Sequence, residues 1–205
     1  MTARNEILSR LGRDGEMSKP GIYRRSYPDL AAQFSAALTA AGGEVLRAAG
    51  RAEAAEYLAR LLQEMGAGHV AAHRAELAGF PGIPGDDPGQ VWAFAGEQPD
   101  YRQFCARADV GISGAEAALA ETGSLVLASG SETARMTSLL PPVHVVLLPE
   151  SRIVASLFEW VKQRPEPMPA NLVLVSGPSK TADIEQTLIV GVHGPKRLVV
   201  LLVPD

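Results

Sequence analysis

The sequence is short of the residues that build redox and metal centres. Cys105 is the only cysteine among 205 residues, so this chain alone forms neither a disulfide nor a four-thiolate iron–sulfur cluster. No His, Asp or Glu pair has the spacing of a zinc motif, and neither GxxxxGK followed by Ser or Thr nor GxGxxG occurs. We therefore expect no metal and no cofactor in this chain. We interpret Cys105 as a buried, inert thiol, with a reactive thiol as the alternative.

Long apolar runs and an excess of positive charge are also missing. No stretch approaches the roughly 18 consecutive apolar residues that a membrane span needs. Residues 1–11 carry charges where a secretory signal would have its apolar core. The formal net charge of −4 provides no broad positive field for nucleic acid or anionic lipid. We therefore predict a cytoplasmic protein with no membrane span and no nucleic-acid partner.

The composition predicts one globular domain preceded by an arm. Hydrophobic residues make up 46% of the chain and charged residues 20%, which is a globular balance, and the length suits a single α/β domain. Residues 1–27 hold one short amphipathic segment and then a stretch without apolar periodicity. We predict an N-terminal arm at 1–27, either flexible or docked on a second subunit through Ile7, Leu8 and Leu11, and one domain at 28–205.

Helical and strand patterns alternate along residues 28–205. Apolar residues recur three or four apart in the helices, whereas several strands are apolar at every position, which is typical of a parallel sheet covered on both faces. The predicted helices are 30–41, 51–65, 100–106, 115–120, 153–161 and 181–190, and the predicted strands are 44–48, 69–72, 91–95, 110–113, 124–128, 143–148, 172–175 and 197–203. We predict an α/β fold, a single three-layer sandwich whose largely parallel sheet is covered by helices on both faces.

Small and polar residues follow the predicted strand 172–175. In open α/β sheets, ligands collect at the carboxyl ends of the strands. A turn that leads into a helix could hold an anion on free backbone N–H groups, with Lys180 supplying positive charge. The alternative is a capped turn that binds nothing. The candidate ligand-binding residues of this segment are Ser176, Gly177, Pro178, Ser179, Lys180 and Thr181.

Two further segments flank predicted strands. A carboxylate and an arginine beside strand 124–128 could serve as a general base and an anion clamp, or they could be a solvated surface pair. A histidine in the Gly/Pro turn before the last strand could bond a ligand or cap a helix C-terminus. These candidates are Glu121, Thr122, Gly123, Ser124 and Arg135 for the first segment, and His193 and Gly194 for the second.

We predict that the three segments form one rim around a single ligand site. In this hypothesis Arg135 and Lys180 hold an acidic ligand, such as a carboxylate or a phosphate. His144 begins an apolar strand, and we interpret it as a structural hydrogen-bonding residue. No catalytic residue is assigned, and Glu121 in particular is not called one.

Five stretches of the chain, taken in order, form a set that is more specific than any one of them. They are Ala-Glu-Thr-Gly-Ser at 120–124, Arg135, Leu-Leu-Pro-Pro-Val-His at 139–144, Ser-Gly-Pro-Ser-Lys-Thr-Ala-Asp-Ile-Glu at 176–185 and His-Gly-Pro at 193–195. This set resembles the LUD domain of the lactate utilisation protein C (LutC) family. The resemblance covers the chain from about residue 109 to its end, with weaker support before that.

The resemblance implies a fold similar to the NagB/RpiA/CoA transferase-like superfamily. It also implies an accessory role beside two partner proteins, one of which carries iron–sulfur clusters, in the oxidation of L-lactate to pyruvate. In that family a sibling subunit joins a LUD domain to cysteine-rich segments, and the single cysteine of this chain departs from that pattern. The resemblance therefore favours the accessory subunit over the electron-carrying one.

The sequence leaves two other functions open. One is a free-standing enzyme or sensor that binds an anionic small molecule, of the carboxylate, phosphate or CoA type, in the rim site. The other is a scaffold whose motifs maintain the fold and an interface. The accessory subunit requires an iron–sulfur partner, whereas the free-standing protein requires saturable ligand binding on its own.

Overall fold

A computed structural model describes residues 26–83, 87–164, 168–182, 188–190 and 194–205. The predicted arm at 1–27 lies outside this part of the chain, apart from its last two residues. None of the helices in the described ranges is long and apolar enough to cross a membrane.

Helices and strands alternate over most of the described chain. The helices are α1 Leu30–Ala40, α2 Arg51–Glu64, α3 Arg74–Leu77, α4 Tyr101–Cys105, α5 Met136–Leu139 and α6 Leu157–Gln163. The strands are β1 Glu44–Arg47, β2 His69–Ala72, β3 Val91–Phe94, β4 Val110–Ser113, β5 Ala117–Leu119, β6 Ser124–Ser129, β7 Val143–Pro149, β8 Ile153–Val154, β9 Asn171–Val175, β10 Lys180–Ala182, β11 Leu188–Val190 and β12 Arg197–Val203.

Six strands form a central sheet in which every pairing is parallel. Their order is β1-β12-β7-β4-β2-β3. The inner strands β7 and β12 are buried along most of their length. Successive apolar side chains of each strand point to opposite faces of the sheet, and both faces are covered. Val145 and Leu147 point to one face, and Val146 and Leu148 to the other. The predicted α/β fold with a largely parallel sheet is confirmed.

The two faces of the central sheet are covered differently. On one face, α2 packs Leu58, Leu61 and Leu62 onto the sheet. On the other, Phe34 and Leu38 of α1 share a core with a second sheet of four strands, in the order β8-β5-β6-β9. Strands β10 and β11 form a separate antiparallel pair. This face is therefore covered by helices and a small sheet together.

The second sheet brings the turn before β6 directly against helix α1. Gly123 has a φ of +67°, and a Cβ atom at this position would lie 2.3 Å from the Leu38 amide nitrogen. Only glycine combines this backbone conformation with so close an approach. Asp29 caps the N-terminus of helix α1, and its carboxylate accepts from the Ala32 N–H at 2.9 Å.

Three predicted helices differ from the structure. Residues 115–120 contain strand β5, because pairing with β6 and β8 overrides the helix propensity of alanine. The predicted helix 181–190 is instead the strand pair β10 and β11 over its described residues. The predicted helix 153–161 is split into β8 and α6. Ile153 is buried in β8 and Trp160 is the buried side chain of α6, whereas Leu157 and Val161 are exposed.

Candidate functional site

Three of the motif segments meet in space. The Oγ atoms of Ser124 and Ser176 lie 2.6 Å apart, and Thr122 Oγ1 lies 2.7 Å from Ser124 Oγ. The Ser179 amide donates to the Pro195 carbonyl at 2.9 Å. The turn before β6, the segment after β9 and the turn before β12 are therefore joined by hydrogen bonds.

The segment after β9 and the turn before β12 border a cavity of about 230 Å³, which we call the amino-edge cavity. His144 and Leu198 are the second residues of β7 and β12, so the cavity lies where these strands begin. It is lined by Ser138, Leu139, His144, Leu174, Val175, Ser176, Gly177, Ser179, Gly194, Pro195 and Leu198.

The segments meet at the opposite edge of the central sheet from the one expected. The prediction assumed that each motif lies at the carboxyl end of a parallel strand. Strands β6 and β9 belong instead to the second sheet and run antiparallel, with Leu125 opposite Val175. The start of one strand therefore lies beside the end of the other, and both lie near the amino ends of β7 and β12.

His144 is the most deeply buried polar side chain of the amino-edge cavity, with 1% exposure. Burial, assisted by His73, lowers its pKa to about 3, so the ring is neutral near pH 7. Ser113 Oγ donates to the Gly114 carbonyl and lies 2.8 Å from His144 Nε2. The hydroxyl and Nε2 share this hydrogen bond, and the tautomer of the imidazole sets which of the two donates.

The second ring nitrogen of His144 is Nδ1. It is buried and has no hydrogen-bond partner within the described part of the chain. The interpretation of His144 as a structural hydrogen-bonding residue is confirmed for Nε2, whereas Nδ1 is available to a hydrogen-bonding group of a ligand.

The two predicted cations do not line the amino-edge cavity. Lys180 Nζ donates to the Ala41 carbonyl at the end of α1, at 2.7 Å. Arg135 lies exposed just before α5, and its carbonyl accepts from Ser138 Oγ. Among the described residues that line this cavity, none carries a full charge near pH 7, because His144 is neutral. Its polar groups are therefore hydroxyls, an imidazole and backbone atoms.

The other predicted site residues that the structure describes are not among those that line this cavity. Gly123 packs on α1, and Pro178 lies near Gly42 at the end of that helix. The amide of half-buried Glu121 donates to the Ala155 carbonyl. Thr181 belongs to β10, and His193 lies outside the described residues.

The single thiol lies far from solvent. Cys105 at the end of α4 is fully buried, and burial raises its pKa above the ordinary value. The prediction of a buried thiol is therefore confirmed. Within the described ranges, no group of three or more His, Cys, Asp or Glu side chains could hold a metal ion.

A second cavity, of about 120 Å³, lies at the carboxyl ends of the central strands, and we call it the carboxyl-edge cavity. Arg51 follows β1, Glu76 follows β2 and Arg152 follows β7, while Val203 is the last residue of β12. The full lining is Arg51, Ala75, Glu76, Ala78, Phe80, Leu147, Pro149, Arg152 and Val203. None of these residues was predicted from the sequence, although each charged one lies within a few positions of a strand's carboxyl end.

Glu76 is the acidic group of the carboxyl-edge cavity. A Cβ atom at Gly114 would lie 2.2 Å from the Glu76 carboxyl carbon, so the carboxylate rests directly on this glycine. Burial raises the pKa of Glu76, the attraction of Arg152 opposes that rise and the charge of Glu116 adds to it. Arg152 Nη1 lies 3.9 Å from Glu76 Oε2 and donates to the Ala115 carbonyl at 2.7 Å.

Several known proteins are similar to parts of this chain. An uncharacterised protein of Neisseria meningitidis is 45% identical over 107 residues, which cover 50% of this chain and 46% of that protein. Lactate utilization protein C 1 of Bacillus mycoides is 38% identical, covering 57% of this chain and 52% of the relative. Lactate utilization protein C of Halalkalibacterium halodurans is 39% identical, covering 48% and 46%. The chain thus spans about half the length of the curated relatives it matches.

A solved structure supports the fold. The crystal structure of a DUF162 family protein from Deinococcus radiodurans superposes with a TM-score of 0.58 and covers 85% of this chain and 96% of that one. Sequence identity is 24%, so this likeness concerns the fold alone. The LUD domain family model matches residues 31–203, which is most of the chain. The chain belongs to the LUD domain family.

Proposed function

We propose that this chain is a non-redox component of a lactate utilisation system, and that it supports the oxidation of L-lactate to pyruvate beside an iron–sulfur partner protein in the cytoplasm. The observation that carries the proposal is its membership of the LUD domain family, together with relatives named Lactate utilization protein C at 38% and 39% identity.

The position of the thiol supports a division of labour between subunits. Oxidising lactate to pyruvate releases two electrons and two protons, which a redox centre has to accept. A four-thiolate cluster needs four cysteines, whereas this chain contributes one, and that one is fully buried at the end of α4. Electron transfer through such a cluster would therefore use the thiols of another protein.

Deletion and purification in the native cell test the proposal. Deleting the gene should abolish growth on L-lactate and leave growth on pyruvate intact, because only the oxidation step is lost. The tagged chain should also bring down a protein with iron–sulfur absorption. Unchanged growth on L-lactate after deletion would overturn the proposal.

A second candidate function is a free-standing enzyme or sensor, and the amino-edge cavity favours it. The cavity combines the serine hydroxyls with the unpartnered Nδ1 of buried His144. A ligand hydroxyl, which can donate or accept, would satisfy that nitrogen in either tautomer, and backbone and serine groups could hold the other oxygens of the ligand. His144→Phe, which keeps a ring but removes Nδ1 together with the Nε2 that contacts Ser113, should then weaken saturable ligand binding by the purified chain.

A further inference from the structure

We propose that the carboxyl-edge cavity binds a short-chain carboxylate with an oxygen on the neighbouring carbon, that is, a small 2-hydroxy or 2-oxo acid. The inference deepens the proposed function by naming a substrate class. It rests on that function only for the choice of L-lactate and pyruvate as probes.

The position of the cavity is the first argument. Ligands of open α/β sheets bind outside the carboxyl ends of the strands. In the order β1-β12-β7-β4-β2, the neighbours β1, β12 and β7 end beside one another, and β2 ends two strands further on. The segments that follow these strands supply Arg51, Glu76 and Arg152, so three charged groups converge on one concavity.

The guanidinium groups of Arg51 and Arg152 suit a carboxylate ligand. Arg51 Nη1 donates to the Ala78 carbonyl at 2.9 Å, and Arg152 Nη1 donates to the Ala115 carbonyl at 2.7 Å. Each backbone contact orients a guanidinium that has five N–H donors in all. The remaining donors suit a carboxylate, which guanidinium groups bind through paired, charge-assisted hydrogen bonds.

Glu76 and three apolar side chains, which we call the apolar floor, would contact the parts of the ligand other than its carboxylate. Leu147, Val203 and Phe80 are each at most 6% exposed and present hydrocarbon to the cavity. Glu76 lies at its rim with 22% of the side chain exposed. As a carboxylate, Glu76 can accept the hydroxyl of a 2-hydroxy acid, while the short alkyl group of the ligand contacts the floor. A cavity of about 120 Å³ suits a small acid more closely than a ligand of nucleotide or CoA size.

The protonation of Glu76 distinguishes the two kinds of acid. A 2-oxo acid has no hydroxyl to donate, so it pairs with Glu76 only when that carboxyl is protonated. The charged groups that act on the Glu76 carboxyl are Arg152 and Glu116, and Arg51 lines the same cavity. Affinity for pyruvate should therefore rise as the pH falls through the raised pKa of Glu76, and Glu76→Gln should remove most of that rise.

Calorimetric titration of the purified full chain with L-lactate and with pyruvate tests the site. Arg51→Gln and Arg152→Gln should each weaken binding about tenfold, as expected for the loss of a charge-assisted contact. The matched control is Arg47→Gln, which removes the same charge from an exposed arginine at this edge. Arg47 pairs with Glu150 and does not line the cavity, so affinity should change less than twofold.

Two results would overturn the inference. One is the absence of saturable binding of either acid at millimolar concentration, and the other is an equal loss of affinity in Arg47→Gln and Arg51→Gln. If binding is absent while growth on L-lactate still requires the chain, the inference fails and the proposed function stands. If the acids bind and the gene is dispensable on L-lactate, the proposed function fails and the site stands.

Discussion

The hydroxyl oxygens of Ser124 and Ser176 lie 2.6 Å apart, although 52 positions separate the two residues in the chain. The contact exists because β6 begins where its antiparallel partner β9 ends. Thr122 Oγ1 in turn lies within hydrogen-bond distance of Ser124 Oγ, so three hydroxyls are connected. Two segments that the sequence analysis placed on one rim are therefore in direct contact, and their coupling can be measured.

A double-mutant cycle should detect this contact. Ser124→Ala and Ser176→Ala should each destabilise the fold by about 0.5–1.5 kcal/mol, the usual net value of one hydrogen bond. The double variant should cost less than the sum, because either change already removes the shared bond. Urea denaturation measures all four proteins. Ser35→Ala with Ser176→Ala is the control pair, since Ser35 bonds Ala31 within α1, and strict additivity of both pairs would contradict the contact.

Gly123→Ala should be among the most destabilising single-methyl changes in the domain. It combines a φ of +67° with a Cβ position 2.3 Å from Leu38 N. Gly66→Ala is the matched control, because its φ is +59° and nothing lies within 4 Å of the added methyl. Gly66→Ala should cost about 1–2 kcal/mol for the left-handed backbone, and Gly123→Ala at least about 1–3 kcal/mol more for overpacking. Equal losses in thermal unfolding would show that α1 does not press on this turn.

The central sheet could be predicted from the sequence because its strands are apolar at consecutive positions, as in Val143–Pro149 and Arg197–Val203. The second sheet could not. Strand Ala117–Leu119 consists of two alanines and a leucine, residues that favour helices, and only its pairing with β6 and β8 makes it a strand. Because this sheet was not predicted, the rim was expected at the carboxyl edge of the central sheet, whereas it lies at the amino edge. The orientation of β6 and β9 depends on contacts that are distant in sequence.

The same limit applies to the candidate sites. The proximity of Ser124, Ser176 and Ser179 was expected from the motif segments, but the role of Lys180 at the end of α1 depends on a contact across 139 positions. Glu76 was not singled out, because its environment is created by Gly114 and Arg152 from other segments. Burial and charge pairing of this kind become visible only in the folded chain.

Mild acid should destabilise the fold through His144. Its pKa is about 3 in the folded chain, against an ordinary value of 6.5, so the unfolded chain binds the proton first. The contribution of neutral His144 to the free energy of unfolding is therefore fully present above pH 6.5. It falls by up to about 1.4 kcal/mol per pH unit as the pH drops toward 3. Buried His73, whose pKa is also lowered, acts in the same direction, whereas Glu76, whose pKa is raised, opposes it.

Urea midpoints between pH 7.5 and 5.5 measure this effect above the range where ordinary carboxylates titrate. The His144→Gln variant cannot take up the proton in either state, so its stability should depend less on pH than that of the wild type. Its absolute stability is free to differ, because the comparison concerns the slope. Parallel slopes for the two proteins would contradict a buried, neutral His144.

Cys105 should react with a thiol reagent only when the chain unfolds. The side chain is fully buried and its raised pKa keeps it as the thiol, which is a poor nucleophile. Disulfide-exchange with Ellman's reagent should therefore be slow in buffer and complete within minutes in denaturant. Cys105→Ser should still support growth on L-lactate, provided that the protein accumulates. Rapid reaction of the native protein would show an accessible thiol.

Substitutions of Lys180 and Arg135 distinguish a structural role of these residues from the predicted anion clamp. Lys180 Nζ donates to the Ala41 carbonyl, where a cation interacts favourably with the C-terminus of α1. Lys180→Ala should therefore lower the free energy of unfolding by about 0.3–1 kcal/mol. Arg135 is exposed, and Arg135→Ala should leave stability within about 0.5 kcal/mol of the wild type.

The anion-clamp hypothesis makes a different demand on the same variants. If both cations hold an acidic ligand, each single variant should weaken growth on L-lactate, and the Lys180→Gln variant should do so even where its stability matches the wild type. The hypothesis fails if the double variant Arg135→Ala with Lys180→Ala grows normally on L-lactate. Since neither side chain lines the amino-edge cavity, normal growth would leave Arg51 and Arg152 as the cations to test for an acidic ligand.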